Sequence, residues 1–300
     1  MGEHKNRKAA AQILAAGTGW GIIGVFSRPL SAAGLSVIQI TAIRCLIVAA
    51  GMAIILLIRD RSQFRIRLRD LPLFAGIGIL SLVFFNVCYF LTIQQATLAA
   101  ASILLYTAPF FVLLASAFLF HEPVTPRKLA ALFLAFGGCV LVSGSGGGRM
   151  GAAAILTGIG SGIGYGLYSI LGSVALKRCR PFTMVFYAFL IAAAALLPFC
   201  RPAEIGAVLA AGRPALVCAL ALGLVSTLLP FLLYTTGLQQ MEAGRAAVLA
   251  FAEPMVAALS GIVVFQEALT WQSALGIALI FGAIVLLNRG GGAQSSDRRS

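Results

Sequence analysis

Residues 89–110 read YFLTIQQATLAAASILLYTAPF, and residues 234–255 read YTTGLQQMEAGRAAVLAFAEPM. Both stretches place a tyrosine, a Gln-Gln pair and a proline at the same spacing, and both lie within long apolar runs. In such a biased composition, chance produces matches between apolar residues. Matched Gln, Tyr and Pro in one ungapped register indicate instead that the chain contains an internal duplication.

A shift of 145 residues extends this register over most of the chain. It superimposes Glu122 on Glu267 and Thr125 on Thr270. It also superimposes the glycines of one half on those of the other: Gly17, Gly19, Gly21, Gly78 and Gly137 on Gly162, Gly164, Gly166, Gly223 and Gly282. The chain is therefore expected to consist of two structurally similar halves.

The composition indicates that lipid is the main solvent of both halves. Of the 300 residues, 60% are hydrophobic and only 10% are charged, whereas a soluble domain has about 25% charged residues. A membrane-spanning helix needs about 20 apolar residues, and the apolar runs here are longer than the strands of a transmembrane barrel. The predicted spans are 10–30, 36–58, 72–93, 97–119, 127–145, 151–174, 182–200, 214–237, 242–265 and 270–288.

Ten spans divide into five in each half, and an odd number makes the second half enter the membrane from the opposite side. The predicted fold is an all-α membrane protein of ten transmembrane helices, arranged as two inverted five-helix repeats. We expect the first repeat at 1–143, a Gly-rich linker at 144–150, the second repeat at 151–288 and a disordered cytoplasmic tail at 289–300.

The basic residues fix the expected orientation. With the N-terminus inside, seventeen Lys and Arg lie on the inner side and four, Arg28, Arg149, Arg201 and Arg213, on the outer side. This bias predicts cytoplasmic N- and C-termini in a bacterial inner membrane. Because the net charge of +13 resides at span ends, it does not indicate nucleic-acid binding.

Inverted halves can exchange conformations and so expose a central cavity to either side, which predicts transport of a small molecule. The alternative is that duplication merely builds a bundle, as in a membrane scaffold or sensor. The sequence has no H-E-x-x-H, G-x-S-x-G or P-loop motif, no C-x-x-C and no histidine cluster. We therefore predict that the protein is not an enzyme and has no cofactor or metal. Because the repeat supplies within one chain the pairing that a half-length protein could obtain by dimerising, we expect a monomer.

Two charged residues lie deep within predicted spans, away from the span ends. Glu253 has Ala108 at the equivalent position of the first repeat, and an ionised carboxylate in lipid is costly, so it is expected to face a cavity or to be protonated. It could bind a substrate amine, carry a proton, or be a neutral packing residue. Arg44 has Phe189 at its equivalent position and could anchor a carboxylate or pair with polar groups between helices.

Polar and aromatic residues at helical spacing within the spans predict the lining of a cavity. With Glu253, the candidate substrate-binding residues are Trp20, Asn86, Tyr89, Tyr106, Tyr165, Tyr168, Ser169, Thr227 and Tyr234. For any single tyrosine the alternative is packing or an interfacial position.

Glycines and prolines at equivalent positions predict moving or closely packed helices. Gly17 and Gly21 in span 1, and Gly162 and Gly166 in span 6, form small-xxx-small faces that allow close helix approach. Pro109 and Pro254 are expected to kink spans 4 and 9 and to take part in gating, although either kink could be incidental. Glu122 and Glu267, at span ends, are expected to be interface anchors or partners of nearby positive groups.

These features resemble the drug/metabolite transporter superfamily, specifically its ten-span EamA type. The resemblance rests on the Gly17–Gly21 stretch around Trp20 and on two copies of a Pro…Glu…Gly pattern. The copies are Pro109, Glu122, Gly137 and Pro254, Glu267, Gly282. It implies a helical basket around a central cavity lined by spans 1, 3, 4, 6, 8 and 9.

The resemblance further implies alternating access and, by the Ala252–Pro254 segment, similarity to exporters of amino acids and related metabolites. We expect amino acids, aromatic or hydrophobic ones included, as substrates; efflux of hydrophobic cations or drugs is the alternative. Paired intramembrane Lys or Arg, as in sugar-phosphate exchangers, are missing, because Arg44 is alone within its span.

Overall fold

The computed structural model describes residues 2–144 and 150–289. Most of the predicted linker and nearly all of the predicted tail lie outside these residues. Ten helical segments of the described chain are long and apolar enough to cross a membrane, which confirms the predicted fold class and span count. The spans are Asn6–Ala32, Val37–Arg59, Leu68–Gln95, Leu98–Phe120, Pro126–Ser143, Ala152–Ala175, Pro181–Phe199, Arg213–Leu238, Ala243–Phe265 and Trp271–Asn288.

Five spans are essentially continuous helices, and the other five are interrupted. The continuous helices are Val37–Arg59, Pro126–Ser143, Ala152–Ala175, Pro181–Leu196 and Trp271–Arg289. Among the interrupted spans, span 1 comprises Gly2–Gly21 and Ile23–Ala32, and span 4 comprises Leu98–Leu105 and Ala108–Phe120. Span 9 comprises Ala243–Leu249 and Ala252–Phe265. Span 3 comprises Leu71–Ala75, the π-helical turn Gly76–Val83 and Phe84–Gln95. Span 8 comprises Arg213–Gly223, the π-helical turn Leu224–Leu228 and Leu229–Leu238.

The remaining elements are short and lie between spans or at span ends. A helix that the sequence analysis did not predict, Pro202–Ala211, connects spans 7 and 8. Three 3-10 turns occur at Arg61–Phe64, Leu68–Asp70 and Leu197–Phe199.

Four of the five interruptions follow the internal repeat, whereas the break in span 1 has no counterpart in span 6. The π-helical turns of spans 3 and 8 lie at equivalent positions, and the breaks in spans 4 and 9 immediately precede Pro109 and Pro254. A proline has no N–H to donate and its ring displaces the preceding turn, so each break leaves backbone groups free of the helical ladder. In lipid such groups are tolerated only inside the protein or beside a cavity.

The ends of the spans are also set by local sequence. Thr97 and Thr125 cap spans 4 and 5 by accepting hydrogen bonds from the backbone N–H groups of Ala100 and Lys128. Spans 4 and 9 both end in a left-handed residue that is not glycine, His121 (φ 55°) and Gln266 (φ 53°).

Packing between spans has the same two-fold pattern. Span 1 packs against spans 8 and 9, and span 6 packs in the equivalent way against spans 3 and 4. Span 2 packs against spans 7 and 8, and span 7 against spans 2 and 3, whereas spans 5 and 10 pack on each other. The arrangement is that of two inverted repeats wrapped around one centre.

Large apolar side chains cover the outside of the bundle, including Phe118, Leu156 and Val263, each at least 71% exposed. In a membrane protein this surface contacts lipid chains. An even number of spans places both ends of the chain on one side of the membrane. We call that side the terminal face, where span 4 ends and span 9 begins, and the other side the distal face.

Candidate functional site

A cavity of about 470 Å³ opens between the two repeats at the distal face. Its mouth is formed by the distal ends of spans 1, 4 and 9, represented by Arg28, Leu98 and Phe265. Its depth reaches Trp20, Tyr165 and Phe231 near the middle of spans 1, 6 and 8. Pockets for small molecules are typically 300–1,000 Å³ and mostly apolar with a few polar groups, and this cavity fits that description.

Glu253 lies in the cavity wall directly after the break in span 9. Its Oε2 accepts a hydrogen bond of 2.7 Å from the hydroxyl of Tyr165. Glu253 is in the first turn of Ala252–Phe265, where the free N–H groups and dipole of a helix favour a negative charge. The break that precedes Pro254 thus turns a helix N-terminus toward the cavity and places a carboxylate at it.

Arg44 lines the same cavity from span 2, which the resemblance did not include among the lining spans. Its Nε donates to the hydroxyl oxygen of Thr227 at 3.0 Å, and this hydroxyl in turn donates to the carbonyl of Leu222 at 2.8 Å. Within the described residues, no hydrogen bond occupies the two terminal nitrogens of the Arg44 guanidinium. Arg44 and Glu253 therefore line one and the same cavity.

The charges of the cavity are few. Of the described residues that line it, three are charged: Arg28 at the mouth, and Arg44 and Glu253 deeper in. Arg28 is about half exposed and pairs with Glu267 at 2.9 Å. One base and one acid therefore remain inside the cavity to interact with a bound molecule.

Neutral polar groups line one wall between spans 2, 3 and 4. Asn86 donates from Nδ2 to the carbonyl of Leu82 at 2.6 Å, and its Oδ1 lies 3.4 Å from the hydroxyl of Thr41. The hydroxyls of Tyr89 and Ser102 form a hydrogen bond of 3.1 Å across spans 3 and 4. This wall offers hydrogen-bonding groups in an otherwise apolar environment.

Aromatic rings close the cavity toward the terminal face. The ring of Trp20 meets those of Phe231, Tyr234 and Tyr165 with centroid separations of 5.1, 5.2 and 6.4 Å. Behind Trp20, the Ser169 and Tyr234 hydroxyls bond at 2.6 Å, and the Tyr168 hydroxyl bonds that of Thr235 at 2.8 Å. This layer is hydrogen-bonded and buried, so it separates the distal cavity from the terminal face.

A second, enclosed cavity of about 30 Å³ lies within this layer, with room for about one water molecule. Its lining includes Trp20, Ser81, Pro109, Gly166 and Ser169. The buried Trp20 Nε1 and Ser81 Oγ have no hydrogen-bond partner among the described residues.

The structure divides the predicted binding residues into three groups. Six of them line the distal cavity: Trp20, Asn86, Tyr89, Tyr106, Tyr165 and Glu253. Tyr168, Ser169 and Tyr234 line only the small enclosed cavity, and Thr227 lines neither of the two cavities, because its hydroxyl is taken by Arg44 and Leu222.

The predicted gating glycines lie where spans touch. A side chain at Gly17 or Gly21 would meet span 9, with contacts of 2.9 Å to Ala252 Cβ and 2.7 Å to the carbonyl of Glu253. Gly162 and Gly166 make the equivalent contact with span 4; a side chain at Gly162 would lie 2.6 Å from Thr107 Oγ1. Each pair therefore lies against an interrupted span that carries the repeated spacing of proline and glutamate. A role of these glycines, or of Pro109 and Pro254, in movement stays a prediction.

Sequence reasoning missed part of the wall. Thr41 and Arg44 both line the cavity, and for Arg44 the sequence leaves open whether it anchors a carboxylate or pairs with polar groups between helices. The available signal was the isolation of Arg44 within an apolar span, because such a charge nearly always faces a protein interior or a wet cavity.

A duplicated ten-helix membrane protein, with a central cavity open to one face and closed to the other, has the architecture of a secondary transporter. The profile of the EamA-like transporter family matches residues 7–144 and 152–289, once for each half. The chain belongs to this family, and it is a multi-pass membrane transporter.

Similar proteins are found in archaea and bacteria. An uncharacterized transporter of Archaeoglobus fulgidus is 33% identical over 218 residues, which are 69% of this chain and 75% of that protein. The uncharacterized transporter YwfM of Bacillus subtilis is 30% identical over 159 residues, or 53% of each chain. A crystal structure matches with a TM-score of 0.78 at 20% identity, covering 97% of this chain and 99% of that one, which shows a shared fold.

Proposed function

We propose that this transporter exports amino acids, including aromatic or hydrophobic ones, across a bacterial inner membrane by alternating access. The observation that carries the proposal is the presence of one interior base and one interior acid, Arg44 and Glu253, in a single apolar and aromatic cavity. An amino acid carries one carboxylate and one ammonium group on the same carbon, and this pair of side chains complements both.

The contacts of the two side chains support distinct roles. The bond from Nε to Thr227 holds the Arg44 guanidinium in place, and its terminal nitrogens can accept a carboxylate in the bidentate geometry that arginine favours. Glu253, oriented by Tyr165, would receive the ammonium group. Asn86 and Tyr89 would supply hydrogen bonds, and Trp20 and Tyr106 would pack against the substrate side chain.

Glu253 is also the residue for proton coupling in this proposal. A carboxylate in a dry cavity is stable when it is paired with a cation, whether a substrate ammonium group or a proton. Tyr165 contacts both the Glu253 carboxylate and the ring of Trp20 in the aromatic layer. Binding of a proton or an ammonium group to Glu253 can therefore alter the packing of the residues that close the cavity.

The orientation follows from the excess of basic residues at the terminal face. Loops there carry Arg61, Arg65, Arg67, Lys177 and Arg178, and by the positive-inside rule this excess supports a cytoplasmic position for the terminal face. The cavity would then face the periplasm, which is the state from which an exporter releases its substrate.

Efflux of hydrophobic cations is the second candidate, and the aromatic wall around Glu253 favours it. Arg44 argues against it, because a cation in this cavity would be repelled by the guanidinium. The candidates can be separated by binding of a radiolabelled amino acid such as phenylalanine to the purified protein.

Under the amino-acid proposal, unlabelled amino acids displace the label, whereas phenethylamine and tetraphenylphosphonium do so only weakly. Binding of radiolabelled tetraphenylphosphonium, but not of radiolabelled phenylalanine, would favour cation efflux. A folded protein that binds neither class would contradict both substrate assignments.

A further inference from the structure

Two glutamates, Glu122 and Glu267, lie in repeat-equivalent loops of similar backbone geometry at opposite faces of the membrane. Each follows a left-handed residue, His121 (φ 55°) or Gln266 (φ 53°), at the end of an interrupted span. In each loop the glutamate N–H bonds a carbonyl of the preceding helix, Ser116 at 3.3 Å for Glu122 and Gly261 at 3.1 Å for Glu267. The backbone thus offers the two carboxylates in the same way.

The two carboxylates nevertheless have different partners. At the terminal face, Glu122 Oε1 and Oε2 accept hydrogen bonds from the backbone N–H groups of Ala243 and Gly244, at 2.8 and 3.1 Å. These residues begin span 9, so Glu122 joins the end of span 4 to the beginning of span 9. At the distal face, the half-exposed Arg28 is the one described residue that bonds the Glu267 carboxylate.

The internal repeat identifies the groups that Glu267 does not yet contact. Ala243 and Gly244 are equivalent to Leu98 and Ala99, which begin span 4 at the distal face. Leu98, Gly261 and Phe265 all line the mouth of the distal cavity. Glu267 and the N–H groups of Leu98 and Ala99 therefore lie on opposite sides of the mouth of the distal cavity. At the terminal face, the equivalent groups are already hydrogen-bonded to each other.

A second interaction, an ion pair, also joins spans 5 and 9 at the terminal face. Lys128, whose side chain is 6% exposed, pairs with Glu242 next to Ala243 and also donates to the carbonyl of Pro123 at 2.8 Å. The equivalent residues at the distal face are Ser273 and Thr97, which cannot form an ion pair. Closure at the terminal face therefore has an ion pair that closure at the distal face lacks, which accounts for the terminal face being the closed one here.

We propose that Glu122 and Glu267 are alternating gate residues of the transport cycle. When the distal face closes, Glu267 leaves Arg28 and accepts the N–H groups of Leu98 and Ala99, while Glu122 releases those of Ala243 and Gly244. Each glutamate joins the interrupted span of its own repeat to that of the other repeat, and the two closures exclude each other. The inference rests on the transport activity of the family and is independent of the amino-acid substrate.

The test uses two reporter cysteines at equivalent positions of the repeats, introduced into a variant without the six native cysteines. Ser102 lines the open distal cavity, and Ala247, its counterpart, is buried at the closed end. The rate at which a polar maleimide labels each reporter is measured in nanodiscs, where both faces are accessible and no substrate is present. In the parent protein, we expect rapid labelling of the Ser102→Cys reporter and slow labelling of the Ala247→Cys reporter.

Glu122→Gln should raise the ratio of Ala247→Cys labelling to Ser102→Cys labelling by about tenfold, because hydrogen bonds to a charged acceptor lose much of their strength when the charge is removed. Adding Glu267→Gln should return the ratio toward the parent value, because the distal closure then weakens as well. Asp60→Asn, which removes another paired carboxylate at the terminal face, is the matched control and should leave the ratio unchanged.

An unchanged ratio in Glu122→Gln, or a double variant that does not reverse the shift, would overturn the proposal. A merely destabilising substitution would not be reversed by a second one. If Glu122→Gln does not give folded protein, Lys128→Gln replaces it, since it weakens the same closure and should shift the ratio in the same direction. Because labelling needs no substrate, failure of the amino-acid proposal would leave this result unaffected.

Discussion

Replacing Arg44 by glutamine should change which chemical groups the cavity recognises. The Arg44 guanidinium is held by Thr227 through Nε, so its terminal nitrogens are positioned in advance for a carboxylate. Hydrogen bonds to charged groups contribute about 1.5–3 kcal/mol, and each 1.4 kcal/mol is about tenfold in affinity. We therefore expect Arg44→Gln to weaken amino-acid binding by about 10- to 150-fold.

The assay is competition against a radiolabelled amino acid, with three competitors that differ in charge. Phenylalanine carries both charged groups, phenethylamine only the ammonium, and phenylpropionate only the carboxylate. Arg44→Gln should weaken the binding of phenylalanine and of phenylpropionate, and it should leave the binding of phenethylamine unchanged or strengthen it. Glu253→Gln should have the reverse selectivity, because it removes the partner of the ammonium group.

Arg28→Gln is the matched control, since it removes the same charge from the same cavity at its mouth. Arg28 is 53% exposed, and an exposed ion pair such as the one with Glu267 contributes only about 0–1 kcal/mol. Its replacement should change amino-acid affinity by less than about fivefold. Equal losses in Arg44→Gln and Arg28→Gln, or an equal loss for phenethylamine and phenylalanine in Arg44→Gln, would refute the assignment of Arg44.

Three further predictions concern packing, reactivity and orientation. Gly162→Ala should lower the Tm of the purified protein, because the new methyl group would lie 2.6 Å from Thr107 Oγ1 and overpacking costs about 1–3 kcal/mol. Gly137→Ala, where a methyl group would have nothing within 4 Å, should leave the Tm unchanged or raise it. Equal Tm changes in the two variants would contradict this packing. Burial, with a smaller contribution from Asp70, raises the pKa of the Cys179 thiol from 9.0 to about 11, so at pH 8 its thiolate fraction should be about a hundredfold below that of an unperturbed thiol. Mass spectrometry should therefore find slow maleimide modification of Cys179 that accelerates as the pH rises through 10, and rapid modification at pH 7 would contradict the stated burial. A fluorescent protein fused after Ser300 should fluoresce and an alkaline phosphatase fusion should be inactive, and the opposite pair of results would reverse the proposed orientation.

Much of the fold could be predicted because its causes are local and repeated. The length of an apolar run determines whether a helix can span the membrane, and the Gln-Gln and Pro spacing of residues 89–110 recurs at 234–255. The odd number of spans in each half then determines the inversion. The helix Pro202–Ala211 was missed because it is short and lies between two spans, where no membrane constraint acts on the sequence.

The candidate site could be predicted only in part, because helical spacing identifies a face without saying how deep it lies. Tyr168 and Tyr165 are three residues apart in span 6, yet Tyr165 reaches the distal cavity and Tyr168 is enclosed behind Trp20. The depth of each depends on how spans 1 and 8 pack against span 6. Likewise, the contact between Arg44 and Thr227 joins residues far apart in sequence, and no local pattern encodes it.

Glu122 and Glu267 show a second limit on what can be predicted from the sequence, namely which of two equivalent residues makes a given contact. The two glutamates are identical in sequence position and in the geometry of their loops, and the sequence predicts the same role for both. Their partners differ because the protein is closed at one face and open at the other. Nothing in the sequence says which face is open, so the difference can be observed only in a structure.

The central claim is that the cavity between the repeats carries amino acids across the membrane and that Glu253 is the residue through which a proton gradient acts. It is tested most directly by flux of radiolabelled phenylalanine in proteoliposomes, with and without a pH gradient, for the wild type and Glu253→Gln. The account predicts flux in the wild type that responds to the pH gradient, and loss of this response in Glu253→Gln. Equal flux and equal gradient response in both proteins would contradict the role of Glu253, and absence of amino-acid flux in folded wild-type protein would contradict the substrate assignment.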